Sequence, residues 1–281
     1  MRVVILVAAL GLAVTALPVS VPVLAAEARV AGLTVAELMQ ATALDLVFDQ
    51  FGPAIAASAR AGDISSDELF LSHWEAAAAS AFNGPALRAQ LASRLDGQFN
   101  DDERMALGAF LGSDFGRMIT GIERDIALLD ADGQSVALAE GRTLSSEAGA
   151  IRSAQLDELM DLMSAEISAA MAGQSVRALL VGMSVAHRRG DIEVPWREID
   201  AQVEAILPGL LAEHSEAQRA LMAFAYRDLG DDELDRYIDF LRTAPARHFY
   251  AAAAYAVGQI AARSMASFGQ TLAERMASVA I

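Results

Sequence analysis

Asn100 to Met118 reads NDDERMALGAFLGSDFGRM, and Gly230 to His248 reads GDDELDRYIDFLRTAPARH. Set 130 residues apart, the two stretches share Asp101/Asp231, Asp102/Asp232, Glu103/Glu233, Phe110/Phe240, Leu111/Leu241 and Arg117/Arg247. A second anchor, Gly62-Asp63-Ile64, recurs as Gly190-Asp191-Ile192 at a spacing of 128. Two anchors at nearly one spacing are the mark of a tandem duplication. Each copy reads as helix, break, helix. Asn100 is a good N-cap with Glu103 three residues on, and the acidic first turn suits the helix dipole. Gly230 and Glu233 take those places in the second copy, where Leu234, Tyr237, Ile238 and Leu241 follow on one helical face. Ser113 and Thr243 are positioned to cap the next helix, with Pro245 tolerated in its first turn.

Composition narrows the class. In 281 residues, 54% are hydrophobic, but alanine runs such as Ala76 to Ala79 and Ala251 to Ala254 supply much of that. Alanine favours helix, and β-branched and aromatic residues are sparse beyond the first segment, so the fold class is all-α: two tandem related helical units. The formal charge of −16 and pI of about 4.6 argue against nucleic acid and anionic membrane surfaces. All 21 basic residues are Arg, which excludes a Schiff-base or phosphate-loop lysine. The absence of Cys excludes disulfides, thiolate metal sites and cysteine nucleophiles.

The paired motif resembles the core pattern of the bacterial domain-of-unknown-function 2059 (DUF2059) family: Phe-Tyr, any residue, Ser-Pro, any residue, Gly-Lys. The first copy supplies Phe110, Leu111, Ser113, Asp114, Gly116 and Arg117; the second supplies Phe240, Leu241, Thr243, Ala244, Ala246 and Arg247. Leu replaces Tyr, Asp or Ala replaces Pro, Ala246 replaces the second Gly, and Arg replaces Lys. The resemblance implies a helical, exported bacterial domain of unknown activity.

Along the chain, Met1-Arg2 precedes an apolar run from Val3 to Leu17, and Val23-Leu24-Ala25 suits signal peptidase. Residues 1–25 are therefore read as a signal peptide, with an uncleaved anchor through residues 3–26 as the alternative. Residues 26–130 form the first helical unit. In it Thr34/Glu37 is a capping box, followed by a helix through Leu38, Val47, Phe48 and Phe51 that Gly52-Pro53 ends. Ile55 sits in a short helix ending at Gly62. Ser65 with Glu68 starts a helix through Leu69, His73, Trp74 and Phe82, and Asn83-Gly84-Pro85 starts another through Leu87, Leu91 and Leu95. Residues 131–149, rich in acidic and small side chains, read as a linker. A calcium loop at Asp130, Asp132 and Glu140 has its glycine misplaced and lacks a ligand.

Residues 150–281 form the second unit. Its first helix carries Ile151, Leu159, Met163, Ile167, Ala170 and Met171, and Val176 to Ala186 forms another. Pro195-Trp196 opens a helix that Pro208-Gly209 ends, Ser215/Gln218 caps the next, and Phe249 to Met276 is one long alanine-rich helix.

No residue is assigned a catalytic, cofactor-binding or metal role. His73, His187, His214 and His248 are scattered and fit no metal-ligand spacing. Asp101/Asp102 and Asp231/Asp232 are explained by the helix starts they occupy. Gly108, Gly112, Gly116 and Thr120 form a smooth stripe that seats a neighbouring helix of the same unit. Phe110 and Phe240 are read as core anchors. The function that follows is that of an exported, periplasmic or secreted envelope protein, a non-catalytic binding or structural module. Its partner is an unknown protein or a small apolar ligand, not nucleic acid, with no membrane span in the mature chain and no cofactor. The competing class is an envelope hydrolase with a carboxylate site where the two units meet.

Overall fold

A computed structural model describes residues 32–49, 51–61, 66–163 and 196–277. The segment read as a signal peptide, the Gly62 and Gly190 anchors, the helix read at Val176 to Ala186, and His187 lie outside the described residues. The protein is all-α: the described residues are 82% helical and include no strand. The helices are α1 (Val35–Ala41), α2 (Phe51–Ala61), α3 (Glu68–Ala81), α4 (Gly84–Leu95), α5 (Asp101–Leu111), α6 (Asp114–Ala127), α7 (Ala131–Glu147), α8 (Ala150–Leu162), α9 (Trp196–Ala225), α10 (Asp231–Leu241) and α11 (Ala244–Ala277).

The caps follow the side chains that the sequence offers. Thr34/Glu37 and Asn100/Glu103 form complete capping boxes, and Asn83 caps α4. Gly230 has no side chain to give, yet its N–H donates to Glu233 Oε2 at 2.9 Å, half of the same box.

The two corners of the repeated stretch coincide in detail. α5 and α10 are each 11 residues long and end one residue after Phe110 and Phe240. Ser113 Oγ donates to Phe110 O (2.6 Å) and accepts from Gly116 N (2.9 Å). Thr243 Oγ1 donates to Phe240 O (2.7 Å) and accepts from Ala246 N (3.4 Å). Each hydroxyl thus ties off a carbonyl of the ending helix and an amide of the starting one.

Several expectations need correction. The first helix stops at Ala41 instead of reaching Phe51. Thr42 Oγ1 turns back to Leu38 O (2.8 Å) and Ala43 takes a left-handed φ of 56°, so residues 42–49 form turns that drop Phe48 into the core. Gly52-Pro53 begins α2 rather than ending a helix, and α3 is capped by Asp67, which accepts from Leu69 N at 2.9 Å.

Residues 131–149, read as a linker, are mostly the 17-residue helix α7, capped by Asp130. Its small residues are what permit it: Gly141 is buried against α9, where any Cβ would collide with the carbonyl oxygen of Ala220. Finally, α9 runs 30 residues through Pro208, and Ser215 and Gln218 lie inside it. An interior proline costs about 3 kcal/mol; here Pro208 and Gly209 face solvent, while the C-terminal part of α9 lies along α7.

Packing joins the two copies. α1 lies against α4 and α5; α8 lies in the same way against α9 and α10. The correspondence has a sequence echo, Glu37-Leu38-Met39 in α1 and Glu158-Leu159-Met160 in α8, with both Leu-Met pairs buried. At the repeat spacing, α9 covers the counterparts of both α3 and α4. The helices after the two corners then cross over: α6 packs on α9, and α11 packs on α3 and α4. One core results, running from Leu38 to Leu272 and drawing on both halves. The described residues on either side of α7 are thus interlocked in one body.

Candidate functional site

The place where the halves meet is built from the repeated motif itself. Phe110 and Phe240 stack face to face, centroids 3.7 Å apart and planes within 3°. Tyr237 lies parallel to both at just over 6 Å, and Phe115 meets Phe110 edge-on at 5.9 Å. Arg236 covers the Phe115 ring, its guanidinium 4.3 Å from the centroid. Phe240 is buried and Phe110 partly so, both packed on the core, as expected of anchors.

One carboxylate enters this junction. Glu123 lies on α6 between Ile119 and Ile126, on the stripe the helix turns inward. The residue as a whole is only partly covered, but its carboxyl end is enclosed by protein. Tyr226 and Tyr237 both donate to Glu123 Oε1, at 2.8 and 2.6 Å, and the Tyr250 hydroxyl stands 3.3 Å from that of Tyr237. Burial pushes the Glu123 carboxyl above the ordinary carboxylate range, and the two phenolic bonds pull it part of the way back. Burial, with Glu123 beside them, drives all three phenols upward, so they stay neutral donors. The sequence held a sign of this group, a single acid interrupting the Ile119, Ile126 stripe, but nothing in it placed three of the four tyrosines around that acid.

A second bond joins the copies at the surface. His248 Nδ1 lies 2.8 Å from Glu103 Oε1, with Phe99 edge-on to the imidazole at 5.3 Å. That hydrogen bond, followed by the bond from the Asn100 N–H, holds the Glu103 carboxyl below its usual range. A cleft of about 120 Å³ beside Tyr226 is lined by Leu144, Leu156, Met222 and Ala223, with Arg152 and Arg227. It is well below the several hundred Å³ that a drug-sized ligand fills. Arg152 is also committed, to Asp231 (2.8 Å) and to the carbonyl of Leu229 (2.6 Å).

The other residues singled out by sequence are not brought together. Asp101, Asp102, Asp231 and Asp232 stay exposed at their helix starts. Among the described residues no group of three or more side chains is placed to hold a metal ion. His73 and His214 each keep a buried Nε2 with no partner among the described residues, and burial lowers the His214 pKa. The glycine stripe does not lie on one helix, because the corner at Gly112-Ser113 divides it. Its members still seat the N-terminal arm of the same half: Gly108 faces Leu33, and Thr120 Oγ1 donates to Ala41 O at 2.6 Å.

Fold and site together define the class: an interlocked all-α protein with an aromatic junction closed around one carboxyl. Compared with protein-family models, with curated proteins and with solved structures, the chain gives no match in any of the three.

Proposed function

We propose that the chain is an exported bacterial envelope protein, made of two related helical units, that works by binding or structural interaction and not by catalysis. The observation that carries this reading is the filling of the junction. The Phe110–Phe240 stack and the Tyr226 and Tyr237 rings occupy the place where facing units would otherwise frame a substrate cleft. A carboxyl held on one oxygen by two phenols is suited to fastening helices together. The resemblance to the DUF2059 family and the apolar N-terminal run with its Val23-Leu24-Ala25 end support export. No helix of the described residues is long and apolar enough to cross a membrane.

The partner is a protein or small apolar ligand of the envelope. Val136 on α7 and Ile151 on α8 are large apolar side chains left exposed, and they offer places from which to find it. In-cell photo-crosslinking from positions 136 and 151 should give one discrete adduct, with the mature protein recovered from the envelope lacking residues 1–25 by intact mass. The hydrolase reading keeps one argument, the upward-shifted carboxyl of Glu123, since shifted acids gather at catalytic sites. Absence of any adduct, together with ester or peptide hydrolysis abolished by Glu123→Gln, would replace the binding reading with that one.

A further inference from the structure

The crossing of α6 into the C-terminal half is held by a bond its counterpart lacks. α6 carries Glu123, and its carboxyl is gripped by Tyr226, just after α9, and Tyr237 of α10, with Tyr250 of α11 behind them. At the repeat spacing, α11 has Ala253 where α6 has Glu123, and α5 has Leu107 where α10 has Tyr237; both are buried. The equivalent place in the α11 crossing is thus apolar, whereas the α6 crossing depends on an enclosed titratable group.

The groups facing that carboxyl are phenols, and the neighbouring charges have other partners. On α6, Arg117 pairs with Asp114 and Arg124 with Asp45 (2.8 Å). On α5, Arg104 pairs with Asp101, and Glu103 with His248 of α11. Arg219 of α9 pairs with Asp157 (3.0 Å), and Arg227, after it, lies over Phe224. On α10, Arg236 covers Phe115, Asp235 accepts from Gln155 (2.7 Å), and Asp239 pairs with Arg242 (2.8 Å). An ionised Glu123 therefore keeps an enclosed negative charge supported by neutral donors alone, the costly arrangement for a buried ion.

We propose that Glu123 is a proton-operated latch on the crossed-over helix α6, closed while its carboxyl carries the proton and loosened when the carboxyl ionises. A carboxyl whose pKa is higher folded than unfolded gives its full stabilisation below the unfolded value, about 4.3. That stabilisation is lost as pH rises through the folded value. The upward direction found for Glu123 fits this sign, so the junction is tightest in mild acid and loosens toward neutrality. The loosening is one-sided: it frees α6 and leaves α11 seated on α3 and α4.

The test compares the full chain with Glu123→Gln and Tyr226→Phe. In the parent, the urea midpoint should fall as pH rises above the ordinary carboxylate range. Over the same rise, amide exchange across Asp114–Ala127, corrected for intrinsic rates, should quicken about tenfold for each pH unit by which the folded pKa exceeds the unfolded one. Exchange at amides of α3 that open without freeing α6 should not change. Glu123→Gln should flatten both responses, and Tyr226→Phe, which withdraws a donor from the ionised form, should move the fall to higher pH. If Glu123→Gln keeps the parent's pH dependence, the latch is overturned. Should that variant fail to fold, carbon NMR of the parent decides: a Glu123 carboxyl titrating at or below about 4.3 also overturns it.

Discussion

Phe110 and Phe240 are the same residue of the repeated stretch, and in the folded chain each is the other's neighbour. Deleting a buried Phe side chain costs about 3–5 kcal/mol through lost transfer energy and the cavity left behind. Phe240→Ala should lie in that range and Phe110→Ala below it, because Phe110 is only partly buried. The stack itself is worth about 0.5–1.5 kcal/mol beyond area burial. Urea unfolding of the two single variants and the double variant should return a coupling of that size; strict additivity would mean the rings do not support each other. The surface link between the copies has its own pH signature. Glu103 is held low by His248 and the Asn100 amide, so its contribution is present above the ordinary carboxylate range and lost as pH falls through the lowered value. In His248→Ala, Glu103 should titrate at a higher pH by NMR, and the loss should be complete in milder acid.

Among the helices, α7 and α6 give opposite answers to one substitution. A Cβ at Gly141 of α7 would run into the backbone carbonyl of Ala220, which cannot swing aside as a side chain can. Gly121 of α6 is exposed, and a Cβ there meets nothing within 4 Å. Gly141→Ala should therefore part α7 from α9 and lower the melting temperature. Gly121→Ala should raise stability by about 0.5–1 kcal/mol, because alanine gives up less backbone freedom on entering a helix. Thermal melts of the two variants, shifting in opposite directions, would verify the close α7–α9 approach. At the helix starts, Asn100→Ala should cost about 1 kcal/mol by removing the acceptor for the Glu103 amide.

For the whole molecule, the crossing helices make the halves interdependent. α11 leaves its own half to lay Phe268 edge-on against Trp74 at 4.8 Å, and Trp74 Nε1 donates to Ile55 O at 2.6 Å. A half expressed alone would leave such surfaces bare. The described core should unfold in a single step, with far-UV circular dichroism and tryptophan fluorescence tracing one transition. After cleavage at a protease site inserted between Ala148 and Gly149, the fragments should elute together on gel filtration. Two separated transitions, or fragments that part without denaturant, would show independent units.

Local interactions explain what was legible in the residues alone. The all-α class, the caps at Thr34, Asn83, Asn100, Ser113 and Thr243, and the doubled corner depend on side chains within a few positions of one another. Propensity and hydroxyl-to-backbone bonds decide them before any tertiary contact forms. The helix through Pro208, the helical state of residues 131–147 and the gathering of Tyr226, Tyr237 and Tyr250 around Glu123 depend on contacts between distant residues. Packing α7 along α9 outweighs one proline and several glycines, and it can act only once the two helices have met. Sequence likewise held the acid on the inward stripe of α6, while the crossing of α6 onto the other half supplied its phenols. The likeness of the two stretches was legible in the residues; the crossing of α6 and α11 was decided by which apolar faces the tertiary structure could bury together.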